Sequence, residues 1–227
     1  MTLSRLLDIR PGITALTGGG GKTTAMYVLA RELRRRGTVI CTTTTRIFPP
    51  EHLPVLTGAS IPELREALAR YGCLCVGAPA ERGKLAQALD PALLAGLADY
   101  VLVEADGSRG LPVKAHLPHE PVIPPETGLR LTLAGASAFG RPVREAVHRP
   151  ERFCALTGAS PEEAVTAENL ARLLEAEALT DKLFINQAES AGALAEARRL
   201  ALPVPVFAGS LQGGNWTCLS SYGAEET

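Results

Sequence analysis

Four consecutive glycines, Gly18, Gly19, Gly20 and Gly21, run directly into Lys22, Thr23 and Thr24. This run limits what the chain can fold into more than any other feature. A short apolar segment, Ile13–Leu16, precedes it, and Met26, Leu29, Ala30 and Leu33 follow at helical spacing. Strand, tight glycine turn and helix, in that order, are the context that a phosphate-binding loop requires. Glycines let the backbone turn sharply and bring unhindered amides to phosphate oxygens, and the helix N-terminus adds positive potential. On this reading Gly18 to Thr24 cradle the phosphates, Lys22 neutralises β and γ oxygens, and Thr23 ligates Mg²⁺.

The remaining pattern alternates strands and helices. Val39–Thr42 reads as a second strand after a helix that Gly37 caps in left-handed conformation. Ser60 and Glu63 have capping-box spacing for a helix carrying Leu64, Ala67 and Leu68, and Tyr71–Val76 follows as a strand. Asp90-Pro91 opens another helix, and Tyr100–Val103 is a short β-rich run. Further on, Leu129–Leu133, Lys182–Ile185 and Val204–Phe207 read as strands, with helices from Ser160-Pro161 through Leu174 and over Ala193–Leu200. Such alternation predicts an α/β fold, a three-layer, doubly wound, mainly parallel sheet of the P-loop NTPase type. Residues 1–211 are expected to form a single nucleotide-binding domain. An insertion at 107–128 holds five prolines, too many for a core strand or helix, and a polar tail occupies 212–227.

Composition narrows the function classes. Lys plus Arg is 23 and Asp plus Glu 24, for a net charge of −1, so no bulk attraction to nucleic acid or an anionic membrane is expected. Only 4% of residues are aromatic, which leaves few platforms for stacking bases. The N-terminus lacks the pattern of a signal peptide and no apolar run reaches membrane-spanning length. Five scattered cysteines do not resemble a disulfide framework, so the expectation is a cytoplasmic protein with reduced thiols.

Glu104 and Asp106 stand at the carboxyl end of the Tyr100–Val103 strand, where a phosphate-loop protein keeps the carboxylate that holds Mg²⁺ directly or through water. Glu104 is the metal-side candidate. Thr42 to Thr45 and Arg46 leave the second strand; the hydroxyls of Thr44 and Thr45 have the chemistry to meet a γ-phosphate or metal, and Arg46 to stabilise transition-state charge, unless the segment is simply a β-branched strand end. Asn186-Gln187-Ala188-Glu189 is similar to the NKxD base-recognition motif of GTP-binding proteins, with Gln187 in place of lysine and Glu189 in place of aspartate. Asn186 and Glu189 are therefore base-side candidates, unless the segment is an ordinary loop, and ATP or GTP stays open. The loop spacing itself is GxxGK[ST], since Leu16 occupies the first glycine position of the longer GxxxxGK[ST] form, and it resembles the loop of Mur-type ligases.

The combination of GGGGKTT at 18–24, TTTTRI at 42–47, VEADGSRGLPVKAH at 103–116 and HEPVIP at 119–124 resembles the selenium-dependent hydroxylase accessory protein family, YqeC. Arg46 stands where that family is expected to carry histidine. The resemblance implies a P-loop nucleotide-binding protein that assists maturation of selenium-dependent molybdenum hydroxylases, with a molybdenum hydroxylase or its cofactor as partner. It also implies that Asp106, Ser108, Arg109, Lys114 and His116 lie in a segment that folds over the nucleotide or faces a partner, Lys114 being the first choice for nucleotide contact. His116 and His119 read as surface histidines, and Cys73 and Cys75 as small buried hydrophobes. The expected catalytic set is Lys22, Glu104, Asp106 and Arg46 in an Mg²⁺-dependent hydrolase of nucleoside triphosphates. The alternatives are a nucleotide-gated cofactor-insertion chaperone with little turnover, and a Mur-like ligase or small-molecule kinase.

Overall fold

In a computed structural model that describes residues 1–220, contacts gather into two compact units. The first comprises Met1–Thr17, Thr23–Gly107 and Pro121–Leu129; the second comprises Gly18–Lys22, Ser108–Glu120 and the chain from Arg130 onward.

The first unit runs through α1 (Leu3–Leu6), β1 (Gly12–Gly18), α2 (Lys22–Leu33), β2 (Val39–Thr43), β3 (Arg46–Ile47), β4 (Val55–Leu56), α3 (Ile61–Tyr71), β5 (Cys73–Val76), β6 (Ala78–Pro79), β7 (Leu85–Ala86), α4 (Pro91–Ala95) and β8 (Tyr100–Glu104). Its main sheet has the order β1-β8-β2-β5-β4, all parallel. Because both faces of a parallel sheet are covered, its strands read as continuous apolar runs. Ile13, Ile40, Leu74, Val101 and Val103 pack with Leu64 and Leu68 of α3 and Leu94 of α4. On the opposite face Cys41, Cys73 and Cys75 are buried, with Tyr27 of α2 close to Cys41 and Cys75. Burial pushes the Cys75 thiol up to about 12, so it packs as a hydrophobe rather than reacting as a nucleophile. A small antiparallel sheet, β3-β7-β6, completes the unit.

Helix ends follow their local chemistry. The Glu63 carboxylate accepts from the Ser60 amide and hydroxyl at 2.7 Å each, and Gly72 closes α3 in left-handed conformation at φ 69°. Asp90 caps α4 through a 2.9 Å bond from the Ala92 amide. Gly37 differs from its expected role. Its φ is not left-handed, and glycine is needed there because a Cβ would lie 2.6 Å from Asp99 Oδ2, the carboxylate that anchors the Thr38 amide.

The second unit holds β9 (Val113–Lys114), β10 (Thr127–Gly135, from Arg130), α5 (Val143–Ala146), β11 (Val147–His148), α6 (Pro150–Thr157), α7 (Ala167–Glu177), β12 (Lys182–Asn186), α8 (Ala191–Ala197), β13 (Val206–Ser210) and β14 (Asn215–Ser220). β10, β12 and β13 are parallel neighbours, and β14 pairs antiparallel with β13. Leu183, Ile185, Val206 and Ala208 pack with Phe153, Leu170, Leu173 and Leu174 from α6 and α7. The chain thus adopts the α/β class with mainly parallel sheet that its sequence predicts. Three local expectations change. The helix expected from Ser160 begins at Ala167, because Thr166 and Asn169 exchange capping bonds there. The proline-rich 107–128 segment contains a buried stretch, Val113–His116, where β9 pairs in parallel with β11. The polar 212–227 segment contributes the edge strand Asn215–Ser220; residues 221–227 lie outside the described residues.

Candidate functional site: the glycine loop and its neighbours

The glycine segment is shaped by close backbone approach. Gly20, at φ 67°, would place a Cβ 2.2 Å from the Gly135 nitrogen, so no other residue fits. Gly21, at φ 116°, would place one 2.6 Å from Asn186 Nδ2. The Gly19 amide donates to Leu133 O at 2.9 Å and the Gly20 amide to Leu111 O at 3.3 Å. Those two amides fix the loop. The amides of Thr23 and Thr24 belong to the first turn of α2, where no intrahelical carbonyl is in reach, the arrangement that anion binding at a helix N-terminus requires. Lys22 is 4% exposed and folds back over the loop, its Nζ donating to Gly18 O at 2.6 Å. The side chain is thus held on the loop's own carbonyl.

Asn186, at the carboxyl end of β12, is buried against this loop. Its Nδ2 donates to Gly20 O at 2.7 Å and its Oδ1 accepts from the Leu211 amide at 3.0 Å. Both ends of the amide are used by backbone, so Asn186 braces the loop and the end of β13. The sequence pattern suggested a base contact; the brace shows only in three dimensions. Gln187 follows at φ 63°, and Glu189 is exposed.

In the first unit, Thr23 Oγ1 donates to Glu104 Oε2 at 2.7 Å, and Glu104 is 6% exposed. Parallel pairing of β8 with β1 and β2 brings Glu104 to the strand ends, in register with Leu16 and Thr43. Asp106 is buried two residues on. The threonine run is knitted to the same strand end. Thr43 Oγ1 donates to Glu104 O at 2.8 Å, the Thr44 amide to the same carbonyl at 3.2 Å, and the Thr45 amide to Thr43 Oγ1 at 2.9 Å. Thr44 Oγ1 donates to Val122 O at 2.6 Å, and the Val122 amide to Ala105 O at 3.0 Å, so the proline-rich segment is tied to both. Arg46 is on β3, its side chain 61% exposed and 3.8 Å from Glu81.

Lys114 and His116 lie in the second unit, Lys114 in a buried ion pair and His116 against a buried carboxylate. The Lys114 side chain is fully buried with Nζ 3.1 Å from Glu120, and the same carboxylate is held by Arg149, Nη2 to Oε1 at 2.9 Å. Arg149, then Lys114, hold Glu120 down to about 2. His116 Nδ1 is 2.7 Å from Glu177 Oε2, and its amide donates to Oε1 at 2.6 Å. The surface position expected for His116 is therefore replaced by a buried one, because the last turn of α7 supplies a carboxylate; His119 is exposed. Among the described residues no three His, Cys, Asp or Glu side chains gather to cage a metal. The Thr23 hydroxyl and Glu104 carboxylate are hard oxygen donors side by side, which suits Mg²⁺, an ion bound through one or two protein oxygens plus water and phosphate.

Comparison with known proteins matches residues 14–151 to the family model for the YqeC protein. The chain is 34% identical over 174 residues to the Escherichia coli (strain K12) protein described as "Uncharacterized protein YqeC", covering 73% of this chain and 68% of that one. The chain belongs to the YqeC family. The matched span of this YqeC member holds the glycine loop, the threonine run, the Glu104 strand end and the proline-rich segment, but neither β12 nor Asn186. A solved structure, the signal recognition particle 54 kDa protein of Aeropyrum pernix K1 in complex with GDP, is similar at TM-score 0.40 and 16% identity, over 92% of this chain and 44% of that one. No helix among the described residues is long and apolar enough to cross a membrane.

Proposed function

We propose that this YqeC protein binds a nucleoside triphosphate with Mg²⁺ and hydrolyses it, as an accessory factor in the maturation of selenium-dependent molybdenum hydroxylases. The observation that carries the nucleotide reading is the glycine loop closed under Lys22, with Nζ 2.6 Å from Gly18 O ahead of the first turn of α2. In this reading the Thr23 and Thr24 amides receive phosphate oxygens and Lys22 swings from Gly18 O to the β and γ oxygens. Thr23 and Glu104 would hold Mg²⁺, which when bound neutralises phosphate charge. Asp106, at the same strand end, orients the attacking water. The hydroxylase role rests on the family resemblance. Calorimetric titration with Mg·ATP and Mg·GTP beside a phosphate-release assay tests the proposal: binding with release of phosphate is expected for one of them, and no binding of either overturns it.

One observation favours a second reading, a nucleotide-gated module with little intrinsic turnover. The bonds from Thr44 to Val122 and from Val122 to Ala105 link the threonine run, the Glu104 strand end and the proline-rich segment. A γ-phosphate that displaced Thr44 from Val122 would release that segment toward a partner. Tight binding without phosphate release, with proteolytic protection of 107–128 changing on nucleotide addition, identifies this mode.

A further inference from the structure

A cleft of about 540 Å³ opens in the second unit beyond the carboxyl ends of β10 and β12, where open α/β sheets place their ligands. Its walls combine Phe139 and Val165 with Ser137, Gln187, Ser190 and Gly192. One side chain in it is held with unusual care. Gln187 has a left-handed backbone at φ 63°, a conformation that costs a residue other than glycine about 1 kcal/mol. Its Oε1 accepts from Ser137 Oγ at 2.6 Å, and Gly135 behind it has no Cβ, which would lie 2.6 Å from that same oxygen. Strain of this kind persists where the surroundings over-determine it, and it clusters at ligand sites.

The Glu196 carboxylate in the lining already accepts from the Ala167 amide and from Arg199, so the remaining polar groups offered to the cleft are mostly donors. With Oε1 taken by Ser137, the Gln187 amide presents its Nε2 hydrogens. Ser190 Oγ and Thr166 Oγ1 each accept a helix amide, from Ala193 at 3.0 Å and Asn169 at 3.2 Å, which leaves each hydroxyl hydrogen to donate outward. Phe139, partly buried against the core, adds an aromatic ring to the lining, beside the buried Val165. We infer that this cleft binds a small planar heterocycle whose edge is rich in hydrogen-bond acceptors, as a second ligand distinct from the nucleoside triphosphate. Gly135, which packs against Gly20, precedes the cleft residues Ala136 and Ser137 in the chain, so the second ligand sits near the loop without using its amides. The inference needs no nucleotide to be bound.

Saturation-transfer NMR on the full chain, with nicotinamide and uracil as carbonyl-bearing probes and no nucleotide present, tests it. Binding of at least one probe is expected. Gly192→Phe fills the cleft: the glycine φ is not left-handed and its Cβ direction meets nothing within 4 Å, so the variant folds. Gln187→Gly removes the amide while adopting φ 63° without strain. Each variant is expected to weaken the probe at least about tenfold, the loss of roughly one well-made hydrogen bond or more. The melting temperature of Gln187→Gly is expected to hold or rise, whereas a purely structural Gln187 gives a lower one. Failure of both probes to bind, binding retained in Gly192→Phe, or displacement of the probe by Mg·ATP or Mg·GTP overturns the inference.

Discussion

Lys22 and Glu104 are both buried ionisable side chains, yet their contacts assign them different tasks. Lys22 already donates to Gly18 O, so transfer to phosphate exchanges one hydrogen bond for a charge-assisted one. Lys22→Ala is expected to weaken Mg·nucleotide binding by about 10- to 100-fold, the range of a hydrogen bond to a charged group, while the protein still folds, with a melting temperature lowered by loss of the bond to Gly18 O. Unchanged affinity by calorimetry would remove the phosphate-loop assignment. Glu104 meets the site through Thr23 Oγ1 at 2.7 Å and supports Thr43 and Thr44 through its backbone carbonyl. Glu104→Gln keeps that carbonyl and a side chain of the same shape. It is expected to retain nucleotide binding and lose Mg²⁺-dependent phosphate release, and full activity in this variant would move the metal-side role to Asp106.

Among elements, the strand–loop–helix unit β1–α2 was legible because each part carries its own signal: an apolar run, four glycines and a helical repeat. The strand-end position of Glu104 and Asp106 was legible for a related reason, since they are the first charged residues after the apolar run of β8. The Asn186 brace was not, because a bond to Gly20 spans 166 positions in the chain and leaves no local trace. The same holds for β9, whose two residues between prolines read as loop until β11 pairs with them. The helix α6 escaped because Arg149 enters it at φ 69°, an entry without the usual side-chain cap. The brace makes a prediction at this scale. Asn186→Ala leaves the buried Gly20 carbonyl and Leu211 amide without that partner, at about 1–3 kcal/mol for each group. The expected result is a chemical-denaturation midpoint lower by an amount worth about 2–6 kcal/mol, with weaker binding of ATP and GTP alike. Loss of affinity for one base alone would instead make Asn186 a base contact.

For the whole molecule, the shifted groups add up to sensitivity on the acid side. His148 is held below its usual value, first by burial and then by the charges of Arg149, Lys114 and Arg109, against which Glu120 pulls the other way. A histidine that resists protonation in the fold contributes stability above the unfolded value near 6.5, and this is lost as pH falls, since the unfolded chain takes the proton first. Glu120 comes next. Its folded value of about 2 lies below the ordinary 4.5, so its contribution is complete above about 4.5 and disappears as pH falls toward 2. Asp181, paired with Arg130, Asp99, bonded to Thr38, and Glu63, bonded to Ser60, shift in the same direction. Thermal melts from pH 8 to pH 2 are therefore expected to decline in two stages, a shallow one beginning near pH 6.5 and a steeper one below about 4.5. His148→Gln should flatten the first without lowering the neutral-pH plateau through this linkage, and Glu120→Gln should flatten the second while lowering that plateau. A melting temperature that does not change between pH 6.5 and 3 would mean that neither the histidine nor the Lys114–Glu120–Arg149 group is held in the fold as these contacts require.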